Sequence, residues 1–256
     1  MNYPLQGDLS LPPGPAEAIR TAIPILDQWW KRNLLFLGGG TALAARWKHR
    51  YSTDVDLFID RASYENVYQS KGDELDNALS SLANEGVLSA PTVNPGYLMF
   101  TTKHGAVSLF TTETVVASPR SREIDREHQT HVPLEASEEI LAKKLVRRIW
   151  NNGVFVTRDA YDIVIAAAYD PEALNIAKQQ LLASQGSAIS DRLLELSRSN
   201  LDAGSELINA KFPNIGNRAF YFAHQALEGQ YEGISREISS KFAKIRKSGS
   251  EHGEFE

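Results

Sequence analysis

Two aspartates and a run of glycines are the residues best suited to chemistry in this chain. Residues 34–59 read LLFLGGGTALAARWKHRYSTDVDLFI, and Asp54 and Asp56 stand at the head of the second apolar run. Side chains two residues apart on a strand point to the same face, so the two carboxylates lie side by side. Neighbouring carboxylates repel unless a cation lies between them, and Mg²⁺ prefers such oxygen ligands together with substrate phosphates. The pair therefore predicts a metal site with Asp54 and Asp56 as ligands.

The glycines predict a phosphate site in front of the aspartates. Gly38, Gly39, Gly40 and Thr41 follow the apolar run 34–37 and precede a helix-like segment. Glycine lets the backbone approach a ligand closely, and the N–H groups that open a helix bind phosphates. Together with the two carboxylates, this order indicates metal-assisted handling of a nucleoside triphosphate.

The same order resembles the signature of the AbiEii/AbiGii-type nucleotidyltransferase toxins, within the DNA polymerase β nucleotidyltransferase superfamily. The matching residues are Gly39, Gly40, Thr41, Ala42, Leu43, His49, Arg50, Ser52, Asp54, Asp56, Leu57 and Phe58. The resemblance implies that a nucleoside monophosphate moves from an NTP to an acceptor, with Mg²⁺ as cofactor. It also implies that Gly39, Gly40 and Thr41 bind phosphates and that Ser52 lies near the γ-phosphate. Because related toxins modify tRNA ends, it favours RNA as the acceptor and a cognate antitoxin as a partner.

A second block resembles the helical motif of the same family. Residues 140–148 read ILAKKLVRR and residues 158–163 read RDAYDI. The match places Lys144 at the family's lysine and Asp159 and Asp162 at its aspartates. Lys144 and Arg148 are four residues apart on a helix, so they project from one face and suit triphosphate oxygens. Asp159 and Asp162 also share a face, where one could orient the lysine or act as a base toward an acceptor hydroxyl.

Each of these residues also has a structural interpretation. The cations at 143–148 could form a solvated helix face, and Asp159 or Asp162 could cap a helix or pair with Arg158. Ser52 could hold the loop, and Asp54 and Asp56 could be turn residues. His49 and Arg50 would end the helix 42–50, where the helix dipole favours cations.

The third carboxylate that the superfamily usually adds has no evident counterpart. The strand predicted to run beside the aspartates is 106–110, and Ser108 occupies the expected position. Either Glu113 substitutes from the strand end, or the two carboxylates work with ligands from elsewhere.

Hydrophobic periodicity gives the elements that position these residues. A helix is expected over 16–32, kinked or restarted near Pro24, after a proline- and glycine-rich arm. The core unit 34–59, a helix over 63–85 and strands at 86–93, 97–103 and 106–112 follow. Helices are expected over 137–151, 158–169, 171–184, 188–210 and 217–247. The fold class is α+β: a small mixed sheet flanked by helices over 1–130, then a helical bundle over 131–256 that completes the active-site cleft.

Amino-acid composition restricts the expected cellular location of the protein and the classes of function it can have. The chain has 256 residues, no cysteine and a net charge of −5, so disulfides and thiolate sites are excluded. No apolar run approaches a membrane span and no signal peptide opens the chain, so a cytoplasmic protein without membrane contact is expected. The leading interpretation is a toxin that modifies RNA. The alternatives are a protein- or small-molecule-modifying nucleotidyltransferase and a catalytically inactive NTP-binding module.

Overall fold

The computed structural model describes residues 10–117, 132–199 and 207–239. The chain forms two compact units that divide between Ile140 and Leu141. All strands of the five-stranded sheet lie in the first unit, and the second unit is helical where it is described. The predicted boundary at residues 130/131 lies outside the described residues. None of the helices in the described ranges is long and apolar enough to cross a membrane.

A mixed sheet forms the centre of the first unit and confirms the predicted α+β class. The strands are β1 (Phe36–Leu37), β2 (Val55–Ile59), β3 (Ser89–Asn94), β4 (Tyr97–Thr102) and β5 (Gly105–Thr111). Their order is β1-β2-β5-β4-β3, with β2 and β5 parallel and the other neighbours antiparallel. Leu134 adds one parallel bridge to Leu37. The hairpin predicted at His104–Gly105 joins β4 to β5.

Three helices pack against this sheet. They are α1 (Pro13–Leu26), α2 (Gly39–Trp47) and α3 (Arg61–Asn84). Helix α1 packs against β2, β4 and β5, and α3 packs against β3. On β2 the residues Val55, Leu57 and Ile59 are buried, whereas Asp56 and Phe58 between them are only half-buried. The face that carries Asp56 is therefore the more open face of the strand.

Two helix predictions in this unit differ from the structure at their ends. Helix α1 starts at Pro13, because proline suits the first helical position, and it ends at Leu26. Pro24 lies inside it, close enough to the end that the helix does not restart there. Helix α3 starts at Arg61, because the side chain of Asp60 accepts a 2.8 Å hydrogen bond from the backbone N–H of Ser63.

The second unit is built from α-helices around α5. Helix α4 (Ser137–Ala142) continues as a π-helical segment (Lys143–Asn151), and α5 (Thr157–Tyr169), α6 (Pro171–Lys178), α7 (Ala183–Arg198), α8 (Pro213–Gly216) and α9 (Ala219–Leu227) follow. Residues 232–239 are also helical. Helix α9 packs against both α5 and α7, and α6 packs against α5.

Three predicted helices in this unit are longer than the observed ones. The helix predicted over 171–184 starts as expected, with Asp170 as its cap, but ends at Lys178. Helix α7 then starts at Ala183 instead of 188, because the Gln185 side chain accepts a 2.9 Å hydrogen bond from the backbone N–H of Leu182. Gly229, at φ 75°, ends α9 and splits the helix predicted over 217–247. The predicted helical residues 200–206 and 240–247 lie outside the described residues.

Candidate active site

The glycine turn brings charged side chains directly against the backbone where α2 begins. The backbone N–H of Gly38 donates to the carbonyl oxygen of Asp56 at 2.9 Å, which fixes the turn to β2. Gly39 has φ +63°, and a Cβ there would lie 2.3 Å from Asp56 Oδ2. A Cβ on Gly40 would lie 2.2 Å from Nη2 of Arg50. Only glycine leaves room for these two groups, so a carboxylate and a guanidinium both reach the start of the helix.

The loop after α2 runs back to the glycine turn and places Ser52 beside Thr41. Thr41 Oγ1 lies 2.8 Å from Ser52 Oγ and also hydrogen-bonds to the carbonyl oxygen of Asp54. Because a carbonyl oxygen can only accept, the Thr41 hydroxyl donates its one hydrogen to the carbonyl of Asp54. Its oxygen therefore accepts a hydrogen bond from the Ser52 hydroxyl. The Ser52 hydroxyl is therefore engaged in holding the loop, as the structural interpretation expects, and would have to rotate to reach a phosphate.

Arg50 lies beyond the end of α2, whereas the sequence predicted that it ends this helix. The predicted helix 42–50 ends at Trp47, followed by Lys48 in the left-handed conformation at φ 47°, so His49 and Arg50 are beyond the helix. The Arg50 residue is only 8% exposed, and its Nη1 donates to the carbonyl oxygen of Tyr51 at 3.3 Å. Its guanidinium therefore places a permanent positive charge at the start of α2 instead of its end. Helical periodicity could not reveal this contact, because it forms across the returning loop.

Asp56 lies on the more open face of β2, and Asp54 immediately precedes the strand, where the alternation of side chains predicts the same face. Asp54 is exposed and Asp56 is half-buried. Thr53 Oγ1 donates to Asp54 Oδ1 at 3.1 Å. Two hard oxygen donors on one strand face, next to a glycine turn, suit a divalent cation that also binds phosphate oxygens. The donor set therefore fits Mg²⁺ as a cofactor.

The register of β2 and β5 settles where a third carboxylate from β5 would stand. Asp56 pairs with Ser108, so the predicted position indeed carries no acid. Glu113 lies five residues beyond Ser108, about 16 Å along the strand, at the other end of the sheet. The idea that Glu113 substitutes for the missing carboxylate is therefore wrong. Within the described ranges, no group of three His, Asp or Glu residues could hold a metal ion.

A buried carboxylate that sequence reasoning missed lies against the same turn. Glu135 is 4% exposed, and a Cβ on Gly38 would lie 2.6 Å from its Oε2 and 2.5 Å from the ring of Phe58. The backbone N–H of Glu135 donates to the carbonyl oxygen of Leu37 at 2.8 Å, which holds the residue beside β1. No local pattern could have assigned Glu135, because its neighbours along the chain are far from the turn in sequence.

A second charged cluster lies inside the helical unit. Lys144 Nζ pairs with Asp159 Oδ1 and lies 3.1 Å from Asp162 Oδ2. Arg148 Nε lies 3.0 Å from Asp159 Oδ2. Asp159 and Asp162 are fully buried and Lys144 is 7% exposed, so this lysine does not belong to a solvated face. Lys144 and Arg148 therefore both form an ion pair with Asp159.

The backbone beneath this cluster is unusual. Lys144 and Arg148 both lie in the π-helical segment, and π-helical turns are rare and frequent at functional sites. Arg148 keeps 38% of its side chain exposed, whereas the two aspartates lie in the first turns of α5 with no exposed surface. The glycine-turn cluster and the Lys144 cluster belong to different compact units, so completion of one cleft by the helical half stays a prediction.

Comparisons with known proteins agree with this geometry. The family model for the nucleotidyl transferase AbiEii toxin of type IV toxin–antitoxin systems matches residues 31–242. A search of curated proteins found no match. The structure resembles that of JHP933 from Helicobacter pylori with a TM-score of 0.50 and 15% identity, covering 92% of this chain and all of that one. A candidate nucleotidyltransferase from H. pylori gives the same TM-score and identity over 87% of this chain and 95% of that one. Both structures share the fold, and the family match spans most of the chain: the protein belongs to the AbiEii family of nucleotidyltransferase toxins of toxin–antitoxin systems.

Proposed function

We propose that the protein transfers a nucleoside monophosphate from an NTP to an RNA acceptor, with tRNA as the expected substrate. In this reaction an acceptor hydroxyl forms a bond to the α-phosphorus, and the bond from that phosphorus to the bridging oxygen breaks. Pyrophosphate leaves and the hydroxyl proton passes to a base. The observation that carries the proposal is the close approach of the Asp56 carboxylate to Gly39 at the start of α2.

The glycine turn is suited to bind the triphosphate. The backbone N–H groups of Gly39, Gly40 and Thr41 open α2, and the first N–H groups of a helix have no partner within it. The guanidinium of Arg50 packs on Gly40 and adds a positive charge at the same point. Asp54 and Asp56 would hold Mg²⁺, which would neutralise charge on the phosphate oxygens.

In the helical unit, the contacts favour a positioning role for the aspartates. Asp159 and Asp162 are fully buried and both reach Lys144 Nζ, so they hold the ammonium in one place. A base toward the acceptor hydroxyl would need access to the acceptor, which a fully buried carboxylate lacks. We therefore assign Asp159 and Asp162 to the orientation of Lys144. Arg148, which keeps part of its side chain exposed, is the cation of this cluster that a phosphate can approach.

The acceptor is proposed from the family and from charge. The partly exposed cations Lys143, Arg147 and Arg148 lie in the helical unit even though the whole chain carries a net charge of −5. Localised cations are enough for contacts with RNA phosphates. A specific observation also supports a second candidate, a catalytically inactive NTP-binding module: Ser108 stands where the superfamily usually has an acid.

Incubation with each labelled NTP and total cellular RNA tests the proposal. We expect Mg²⁺-dependent label on small RNA, none with EDTA and none with Asp56→Asn. Glu113→Gln is the matched control, because this carboxylate lies at the opposite end of β2 and β5 and should leave labelling unchanged. Label on protein or on an added small molecule alone would contradict the RNA acceptor. NTP binding without label in any reaction would favour the inactive module.

A further inference from the structure

A small polar cavity lies in the helical unit, apart from the Lys144 cluster, where α7 ends and α9 begins. Its volume is about 140 Å³, and its lining includes Ser197, Ser199, Asn217, Arg218 and Tyr221. A cavity of this volume has room for a phosphate group and part of the adjoining sugar. These five side chains have hydrogen-bonding groups that can bind a polar ligand. None of them takes part in the proposed nucleotidyl transfer.

Arg218 is an exposed cation that lies close to two aromatic rings. Its Cζ lies 4.6 Å from the ring centroid of Tyr221 and 5.1 Å from that of Phe222. The Tyr221 hydroxyl accepts a 3.0 Å hydrogen bond from Gln225 Nε2, which fixes the first ring. Among the described residues, no carboxylate forms an ion pair with Arg218. These cation–π contacts hold the guanidinium beside the cavity, and its N–H groups can donate to a phosphate there.

The two serines at the cavity complement this cation. Ser197 Oγ donates to the carbonyl oxygen of Leu194 at 2.7 Å, and Ser199 Oγ donates to that of Leu196 at 2.8 Å. With their protons engaged, both oxygens are available as acceptors toward the cavity. A ribose 2′-hydroxyl can donate to such an acceptor, whereas deoxyribose has no hydroxyl there.

We propose that this cavity binds a phosphodiester and the adjoining ribose of the RNA acceptor, with Arg218 on the phosphate and the serines on the 2′-hydroxyl. The choice of RNA rests on the proposed function, whereas the anion site rests on the cavity and on the arginine beside it. Because phosphate and sugar contacts carry no sequence information, binding through them is independent of sequence. The site therefore binds the RNA backbone without recognising its base sequence.

Fluorescence anisotropy with a labelled oligouridylate and the full-length protein tests the site over a salt series. Arg218→Gln should weaken binding roughly tenfold at low salt and make the log–log salt slope less steep by about 0.7. Arg218→Lys should keep the slope but lose affinity, because lysine has a charge without the planar fork. Arg236→Gln is the matched control, since Arg236 is an exposed arginine of the same unit outside the cavity. It should change affinity by less than about twofold.

A second measurement tests the sugar contact. The double variant Ser197→Ala with Ser199→Ala should reduce the preference for oligouridylate over the matching deoxyribo-oligonucleotide, while the salt slope stays unchanged. An equal effect of Arg218→Gln and Arg236→Gln, or a slope that Arg218→Gln does not alter, overturns the site. Competition by inorganic phosphate that depends on Arg218, with RNA binding independent of it, overturns RNA as the ligand. Binding is measured without NTP, so an inactive enzyme that binds RNA through Arg218 refutes only the proposed function.

Discussion

Replacement of Lys144 by methionine should destabilise the helical unit strongly. Methionine matches the length of the lysine stem but removes the charge that Asp159 and Asp162 share. Both carboxylates are fully buried, so they cannot recover the lost contact from water. Asp159 keeps Arg148 at 3.0 Å, whereas Asp162 loses its 3.1 Å contact with the ammonium.

The magnitude follows from the burial of the cluster. Removal of one partner of a buried ion pair typically lowers the free energy of unfolding by about 3–5 kcal/mol, because the remaining charge stays buried without its partner. Asp162→Asn alone leaves Lys144 paired with Asp159 and should cost less, roughly 1–3 kcal/mol. The double variant Lys144→Met with Asp162→Asn removes one of the two buried carboxylates as well as the lysine, so less negative charge stays buried. It should therefore be more stable than Lys144→Met, with a coupling of about 1–3 kcal/mol.

Urea unfolding followed by far-ultraviolet circular dichroism measures these differences as shifts of the midpoint. Lys143→Met is the matched control, because Lys143 is the neighbouring lysine on the same helix but is only half-buried. It should shift the free energy of unfolding by less than about 1 kcal/mol. A Lys144→Met protein as stable as the wild type would refute the buried network.

The same double variant separates the structural role of Lys144 from a role in nucleotide binding. Lys144→Met with Asp162→Asn lacks the ammonium but restores the charge balance of the cluster. If it folds like Asp162→Asn yet binds NTP more weakly in calorimetry, Lys144 acts on the triphosphate. If both variants bind NTP equally, the lysine serves only the fold.

Three further predictions concern the first unit. Asp54→Asn should abolish Mg²⁺-dependent NTP consumption and leave the melting temperature unchanged, because Asp54 is exposed; retained consumption would exclude it as a ligand. Gly39→Ala should destabilise the protein by at least about 2 kcal/mol in urea, from its positive φ and the clash with Asp56 Oδ2, whereas Gly186→Ala, with open space around it, should stabilise α7 slightly. Burial raises the pKa of Tyr64 from 10.0 to about 12 in the folded protein. Because the unfolded chain loses this proton at lower pH than the folded protein, the free energy of unfolding should fall between pH 10.0 and about 12. Tyr64→Phe should lack that part of the pH dependence, and an unchanged pH profile would show that Tyr64 does not cause it.

Local sequence patterns predicted the parts of the site that depend on neighbours along the chain. The alternation along β2 predicted Asp56 on its more open face, and the strand assignment predicted Ser108 beside it. These features follow from the period of a strand and the pairing of parallel strands. The ends of helices were less predictable, because they depend on single contacts such as the Asp60 cap and the turn at Gly229.

Contacts between distant segments were beyond the reach of such patterns. Arg50 looked like a helix-terminal cation, but the loop after α2 turns its guanidinium back onto Gly40. Lys144 looked like part of a solvated or phosphate-binding face, because the burial of its partners on α5 has no signature in the helix that carries it. In both cases the residue type was recognised and the tertiary contact decided what it touches.

The three glycines of the turn accommodate three different close contacts. Gly38 leaves room for Glu135 and Phe58, Gly39 for Asp56, and Gly40 for Arg50. The turn thus has two carboxylates and one guanidinium against it, a formal charge of −1, and Asp54 adds a further negative charge two residues before Asp56. A triphosphate approaching this charge is repelled unless a cation binds with it. This balance is the physical reason why, under the proposed function, NTP binding at the turn should depend on Mg²⁺, and why loss of either Asp54 or Asp56 should remove catalysis without relieving the need for the metal.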